Sequence, residues 1–269
     1  MSSLTIILHY IYPFLVGACV GSFINVIVYR LPLERSIVRP GSHCAACGKP
    51  LKWYHNIPIF SWLALKGRAA CCETKIDKRY PLIELLTALF TVLLWNVFPA
   101  DVAVVYLLFT YALIVGTFID LDHFIIPDSV SLGGCVFGVI ASLVVPEIHE
   151  TVSRPEALKA SVLGLVIGGG GLWLISFLGK LALRKDAMGL GDVKLIAAIG
   201  ALSGWQGVLI TIGSASIMGS IIGLAVILGR NRKTGVPIPF GPFLAAGFIF
   251  YILKGREWVD NYLNFIGFH

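Results

Sequence analysis

The sequence predicts an all-α polytopic membrane protein of about eight transmembrane helices, with a small cytoplasmic cysteine-containing loop domain between helices 1 and 2. Composition is the first observation behind this. Of 269 residues, 57% are hydrophobic and 13% are charged, whereas a soluble domain averages about 25% charged residues. The second is that uncharged apolar runs recur along the whole chain, far more than one globular core can absorb. The third is an uneven spread of Lys and Arg, which sorts the intervening segments to two sides of a bilayer.

Crossing a bilayer takes about 20 mostly apolar residues. The candidate runs are 4–29, 82–98, 102–119, 129–146, 158–179, 193–204, 206–228 and 238–253. The sixth is short and interrupted by glycine. The opening residues, Met1 to Tyr10, lack the basic start and small-residue cleavage site of a secretory signal, so the first run is expected to stay as a span. Gly168–Gly171 falls inside the fifth run, where small residues let helices pack closely. No internal repeat or low-complexity tract interrupts the pattern.

Three divisions follow: 1–29 as the first transmembrane helix, 30–81 as a cytoplasmic cysteine domain, and 82–269 as a transmembrane core. Segment 30–81 carries Arg30, Arg35, Arg39, Lys49, Lys52, Lys66, Arg68, Lys75, Lys78 and Arg79 against only Glu34, Glu73 and Asp77. That bias marks the cytoplasmic side and puts the N-terminus outside. Alternation then puts 120–128, 180–192 and 229–236 on the cytoplasmic side too, while the opposite loop, 147–157, is mostly acidic. Membrane topology, with anionic lipid headgroups as partner, accounts for the net charge of +6 better than nucleic acid does. Pro32, Pro40, Pro50 and Pro58 exclude one long helix from 30–81.

Two acid-bearing edges stand out. One is Thr117-Phe-Ile-Asp-Leu-Asp-His-Phe-Ile-Ile-Pro-Asp128, with Asp120, Asp122 and Asp128; the other is Gly189-Leu-Gly-Asp192-Val-Lys194. A charge near hydrocarbon costs about 2.5–3.5 kcal/mol even on the lenient insertion scale. Two carboxyls held close share a proton, so one can deprotonate a water while the other protonates a carbonyl oxygen. Asp120 and Asp122 point about 200° apart on a helix, so at most one faces a partner directly. Asp128, after Pro127, suits a helix cap. Gly189 and Gly191 leave backbone uncovered beside Asp192, where an extended peptide could bond by its main chain. Lys194 either balances charge beside the acids or extends to the interface.

The chain resembles the type IV prepilin peptidases along nearly its whole length. The resemblance runs through Gly21-Ser-Phe-Ile-Asn-Val-Ile-Val-Tyr-Arg-Leu-Pro32, Cys44/Cys47, Trp53-Tyr-His-Asn-Ile-Pro58, Arg79-Tyr-Pro-Leu-Ile-Glu84, the Asp120 edge, Gly189-Leu-Gly-Asp192-Val-Lys194 and Pro239-Phe-Gly-Pro242. It implies a Gly-x-Gly-Asp membrane aspartic protease of the bacterial inner membrane. Such enzymes cut the basic leader from prepilins or pseudopilins after Gly at the cytoplasmic face. Many then methylate the new N-terminus with S-adenosylmethionine. By motif match the catalytic pair falls on Asp120 and Asp192, with Asp122 as the fallback; Gly189, Gly191 and Lys194 support it.

Members of that family often carry two Cys-x-x-Cys pairs in the loop, a spacing that suits tetrahedral zinc. Here Cys44 and Cys47 form one pair, but Ala69 stands where the second pair would begin, leaving vicinal Cys71 and Cys72. The expected zinc ligands are Cys44, Cys47, Cys72 and, as the fourth, Cys71; His43 and His55 are the alternatives for that place. A disulfide is not expected on the cytoplasmic side. Glu84 is either a methylation residue or an acid at a helix start. A proton-coupled transporter and a non-catalytic assembly factor are the rival functions.

Overall fold

The computed structural model describes residues 3–44, 46–183, 189–230 and 238–265. Its helices are α1 (Ser3–Ile6), α2 (Tyr12–Arg30), α3 (Phe60–Ala64), α4 (Arg79–Val97), α5 (Ala100–His123), α6 (Asp128–Val144), α7 (Arg154–Leu183), α8 (Leu190–Arg230), α9 (Gly241–Phe250) and α10 (Arg256–Phe265). π-Helical turns at Ile7–Ile11 and Tyr251–Gly255 join α1 to α2 and α9 to α10. Extended pairing among the described residues is confined to two isolated bridges, His43 with Pro50 and Arg68 with Lys75.

Among the described residues five stretches are long and apolar enough to cross a membrane: Leu4–Leu33, Arg79–Val97, Ala100–His123, Arg154–Leu181 and Leu190–Gly229. Helix α6 is apolar but shorter. The burial pattern is that of helices bathed in hydrocarbon. On α4, Leu82, Leu85, Leu89, Leu93 and Val97 face outward, while Glu84, Thr87, Ala88 and Thr91 are buried. On α7, Val162, Leu163, Val166 and Ile167 are exposed. Apolar side chains gain nothing by leaving lipid, so interfaces go to small and polar residues instead.

The chain divides into two compact units, Met1–Val115 and Gly116–His269. In the first, α2 and α4 pack through Gly17 and Gly21, four residues apart. A Cβ at Gly17 would collide with Thr91 and Ala88, and one at Gly21 would lie 2.7 Å from the Glu84 Cα. The close approach is tied by Asn25, whose Nδ2 donates to the Tyr80 carbonyl at 3.1 Å. The loop above these helices is pinned where the Ile59 amide donates to Glu84 Oε2 at 2.7 Å.

In the second unit α7 lies against α8 with backbones nearly touching. A Cβ at Gly164 would strike the Gly200 carbonyl, and one at Gly168 would lie 2.7 Å from the Ile196 carbonyl oxygen. The four-glycine run is thus a packing device only in part: Gly168 and Gly169 meet α8, whereas Gly170 and Gly171 have nothing within 4 Å.

The expected runs 193–204 and 206–228 both lie on α8, with no loop between them. Gly204 alone separates them, at φ 67° and ψ −175°, a backbone state that glycine adopts without a Cβ penalty. The helix folds back there: Val208 Cγ2 sits 3.1 Å from the Cβ position of Gly168, which also meets Ile196. In a straight helix residues 196 and 208 would stand about 18 Å apart. The second arm then returns antiparallel to α9, with Thr211 against Gly247 and Phe243 against Gly219. Tyr251 donates its hydroxyl to the Ser203 carbonyl at 3.3 Å, closing the corner.

Next to this corner, His149 Nε2 hydrogen-bonds Ser142 Oγ at 2.9 Å. Burial, then the nearby Arg256 charge, push the imidazole down to about 4. The neutral ring is the folded form, and the unfolded chain takes up the proton first, at about pH 6.5. Stability therefore falls as pH drops from about 6.5 towards 4. His149→Gln is expected to flatten that part of the pH profile of thermal unfolding in detergent, leaving the profile above pH 7 unchanged.

Candidate active site

Asp120 occupies the last turn of α5 and is 5% exposed. The helix ends there because Phe124 turns to φ 55° and its amide caps the Asp120 carbonyl at 2.9 Å. Pro127 then starts α6. The Asp120 carboxylate accepts the Gly241 amide on Oδ2 at 3.0 Å. That amide belongs to the first turn of α9, where the helix has no acceptor of its own to offer and the macrodipole favours an anion.

Asp192 is in the first turn of α8 and half-buried. It and Asp120 belong to the same compact unit. The two are brought together around Ile126, a buried side chain in the turn between α5 and α6. A Cβ at Gly191 would lie 3.2 Å from Ile126 Cβ, and one at Gly241 3.2 Å from Ile126 Cδ1 and 2.7 Å from Asp120 Oδ2. Both glycines therefore bring backbone to places a side chain would occupy. Gly189 differs: its nearest neighbour is Asp192 Oδ2 at 3.5 Å, ordinary contact distance, and its surface is open.

Asp122 is exposed, on the opposite side of the helix from Asp120. Lys194 does not balance the acid pair: its Nζ meets Asp128 Oδ1 at 2.7 Å, tying α8 to α6. That bond also revises the capping expectation for Asp128, since it sits inside the first turn of α6, after Pro127, and spends its carboxylate on Lys194. The Gly241 amide and Ile126 were not foreseen as parts of the site. Pro242, which starts a helix just after a glycine, was the available signal for the first. An apolar turn residue carries no signal for the second.

In the first unit, the loop folds into two matching knuckles. The Cys44 amide donates to the Lys49 carbonyl and the Ala69 amide to the Thr74 carbonyl, both at 2.8 Å. Gly48 and Glu73 take positive φ at equivalent places, 71° and 56°. Cys44 thus corresponds to Ala69 and Cys47 to Cys72, and Cys71 reaches into the gap that Ala69 leaves. Sulfur separations are 3.6 Å for Cys44–Cys72, 3.3 Å for Cys47–Cys71 and 3.8 Å for Cys71–Cys72. All four lie within 4.8 Å of one another. A tetrahedron with metal–sulfur bonds of about 2.3 Å has edges of about 3.8 Å, so the four residues fit one ion. Neither His43 nor His55 belongs to the group; the His43 ring bonds the Gly41 carbonyl. Hydrogen bonds from Thr74 draw the Cys72 thiol down to about 6, while sharing with the Cys47 sulfur pushes Cys71 up to about 12.

Fold and candidate site together define a helical membrane protein with a buried Asp120, a half-buried Asp192 and a thiol cluster. Family models agree: residues 15–98 match the bacterial peptidase A24 N-terminal domain and residues 107–224 the type IV leader peptidase family. The prepilin leader peptidase/N-methyltransferase of Pseudomonas aeruginosa is 37% identical, covering 94% of this chain and 93% of that protein. Those of Aeromonas salmonicida and Xanthomonas campestris are 37% and 34% identical, covering 96% and 93% of this chain and 95% and 93% of their own lengths. The chain belongs to the type IV leader peptidase family. No solved structure matches it.

The Ile126 contact yields a stability test. Gly191→Val is expected to cost about 1–3 kcal/mol, because Ile126 has to move, whereas Gly189→Ala costs little. Thermal unfolding of the two purified variants in detergent reads the difference.

Proposed function

We propose that this protein removes the basic leader from type IV prepilins or pseudopilins by aspartic endopeptidase chemistry, cutting after Gly, and then methylates the new N-terminal amine. The observation that carries the first half is the burial of Asp120 against the Gly241 amide, with Asp192 following Gly191, which packs on the same Ile126 as Gly241 does. Two such carboxyls hold one proton between them. One takes a proton from water as the water attacks the scissile carbonyl; the other gives its proton to the carbonyl oxygen. The tetrahedral adduct then collapses as the leaving amine takes a proton back. Asp120 is the partner of Asp192 in this reading because Asp122 is exposed. The open backbone at Gly189 and the glycine at 191 let the substrate lie extended beside Asp192.

The Lys and Arg bias puts this edge at the cytoplasmic face of the bacterial inner membrane, with the N-terminus on the periplasmic side. Segment 30–81 acts as a separate module and 82–269 as the protease core. The four thiols suit structural zinc, which needs them deprotonated, so metal uptake releases protons. S-adenosylmethionine supplies the methyl group. The transporter reading is not favoured: the acids sit at helix ends rather than at the midplane where transport sites lie.

A prepilin-like peptide with a basic leader ending in Gly, followed by an apolar segment, tests the peptidase. Cleavage by the purified protein is expected to fall by about 10³-fold or more in Asp120→Asn and in Asp192→Asn, and by less than about tenfold in Asp122→Asn. An Asp122→Asn variant as inactive as Asp120→Asn would move the pair. Metal analysis tests the cluster separately. About one zinc per chain is expected, lost in Cys71→Ser and held more tightly against a chelator in Ala69→Cys.

A further inference from the structure

We propose that a cavity of about 370 Å³ beside the thiol cluster, in the first unit, holds the methyl donor, with the Glu84 carboxylate facing the positive charge of its sulfonium. The inference rests on the methyl-transfer half of the proposed function. The volume falls within the usual 300–1,000 Å³ of small-molecule sites. Its wall includes Trp62, Tyr80, His43 and Asn56 together with Glu84. Aromatic faces attract organic cations, and apolar walls suit an adenine ring.

Glu84 is the reason to expect a cation. It is 8% exposed, and among the described residues no Lys or Arg lies in ion-pair range of it. Its protein donors are the Ile59 amide at 2.7 Å and the Ser22 hydroxyl. A carboxylate has about four lone-pair positions, so capacity remains on the side that faces the cavity. A buried carboxylate without a counter-ion is costly, and a cationic ligand offsets that cost.

A second, smaller cavity of about 120 Å³ shares Glu84, Tyr80 and Asn56 in its wall and adds Arg30. Arg30 is 6% exposed and, among the described residues, gives hydrogen bonds to the backbone carbonyls of Ser36 at 3.0 Å and Gly41 at 3.4 Å. Its remaining guanidinium donors suit a carboxylate. Two neighbouring cavities that share Glu84 thus have a buried anion on both walls and a buried cation on one. The methyl donor has the matching charges: a sulfonium and an ammonium, and an amino-acid carboxylate.

Pinning the loop at Ile59 requires an acceptor but not a charge, so a purely structural Glu84 would be replaced by Gln without consequence for ligand choice. Calorimetry on the purified full chain in detergent separates the two roles. S-adenosylmethionine carries the sulfonium; S-adenosylhomocysteine is the neutral thioether and has one positive charge fewer. Glu84→Gln is expected to weaken the first by about tenfold or more, which is about 1.4 kcal/mol, and the second by less than about threefold. Trp62→Ala is expected to weaken both. In the unaltered protein, an azido-adenosyl analogue is expected to label peptides within 43–84. Equal affinity for S-adenosylmethionine before and after Glu84→Gln, or label confined to 116–269, overturns the assignment. Failure of the unaltered protein to bind either compound overturns the methyl-transfer reading itself.

Discussion

The hydrogen bond from the Gly241 amide to Asp120 is the constraint on which the second unit depends. A carboxylate that is 5% exposed at the end of an apolar helix has to be met by a donor. Three elements meet to supply one. Helix α9 must begin at that depth, so that an unspent first-turn amide faces the acid. The turn after α5 must close over Ile126, so that α8 can start with glycine against it. The corner at Gly204 must bring the second arm of α8 back alongside α9. The first two are statements about where a helix ends; the third is a corner inside α8.

The same economy governs how the helices touch. Where backbones approach, the contact residues are Gly17, Gly21, Gly164, Gly168 and Gly200, and the bulky aliphatic residues point outward. In lipid such contacts are held by close packing and shared polar bonds rather than by exclusion of water. Adding one Cβ therefore does more harm at Gly21 than removing several methyl groups from the outer face of α4. The first unit shows this beside its own buried acid: Glu84, Asn25 and Tyr80 lie at the end of the α2–α4 seam, where small residues stop and the loop begins.

Much of this was legible in the residues. Apolar runs gave the helices, because their length and lack of charge leave few alternatives, and the two acid-bearing edges, singled out by their residues, fall in one compact unit. The 200° argument separated Asp120 from Asp122, and the structure has one buried and the other exposed. The partner of Lys194 was not legible, since an ion pair 66 residues apart depends on the register of α6 against α8. Nor was the absence of a loop at 205. A single glycine in a helical run reads as a weak point, and only packing on both sides shows that it is a corner. The role of Cys71 was open because spacing alone does not say how far a turn lets a neighbouring side chain swing.

That last feature reaches beyond this chain. The two knuckles keep the same backbone bonds although one has lost its leading cysteine, and a thiol two positions later completes the quartet. Screens that demand two identical Cys-x-x-Cys signatures would pass over such a cluster and class the loop as metal-free. Thiol positions can drift along a turn while the sulfur cluster persists, so candidate metal sites in diverging sequences are better sought by sulfur-to-sulfur distance than by counting residues.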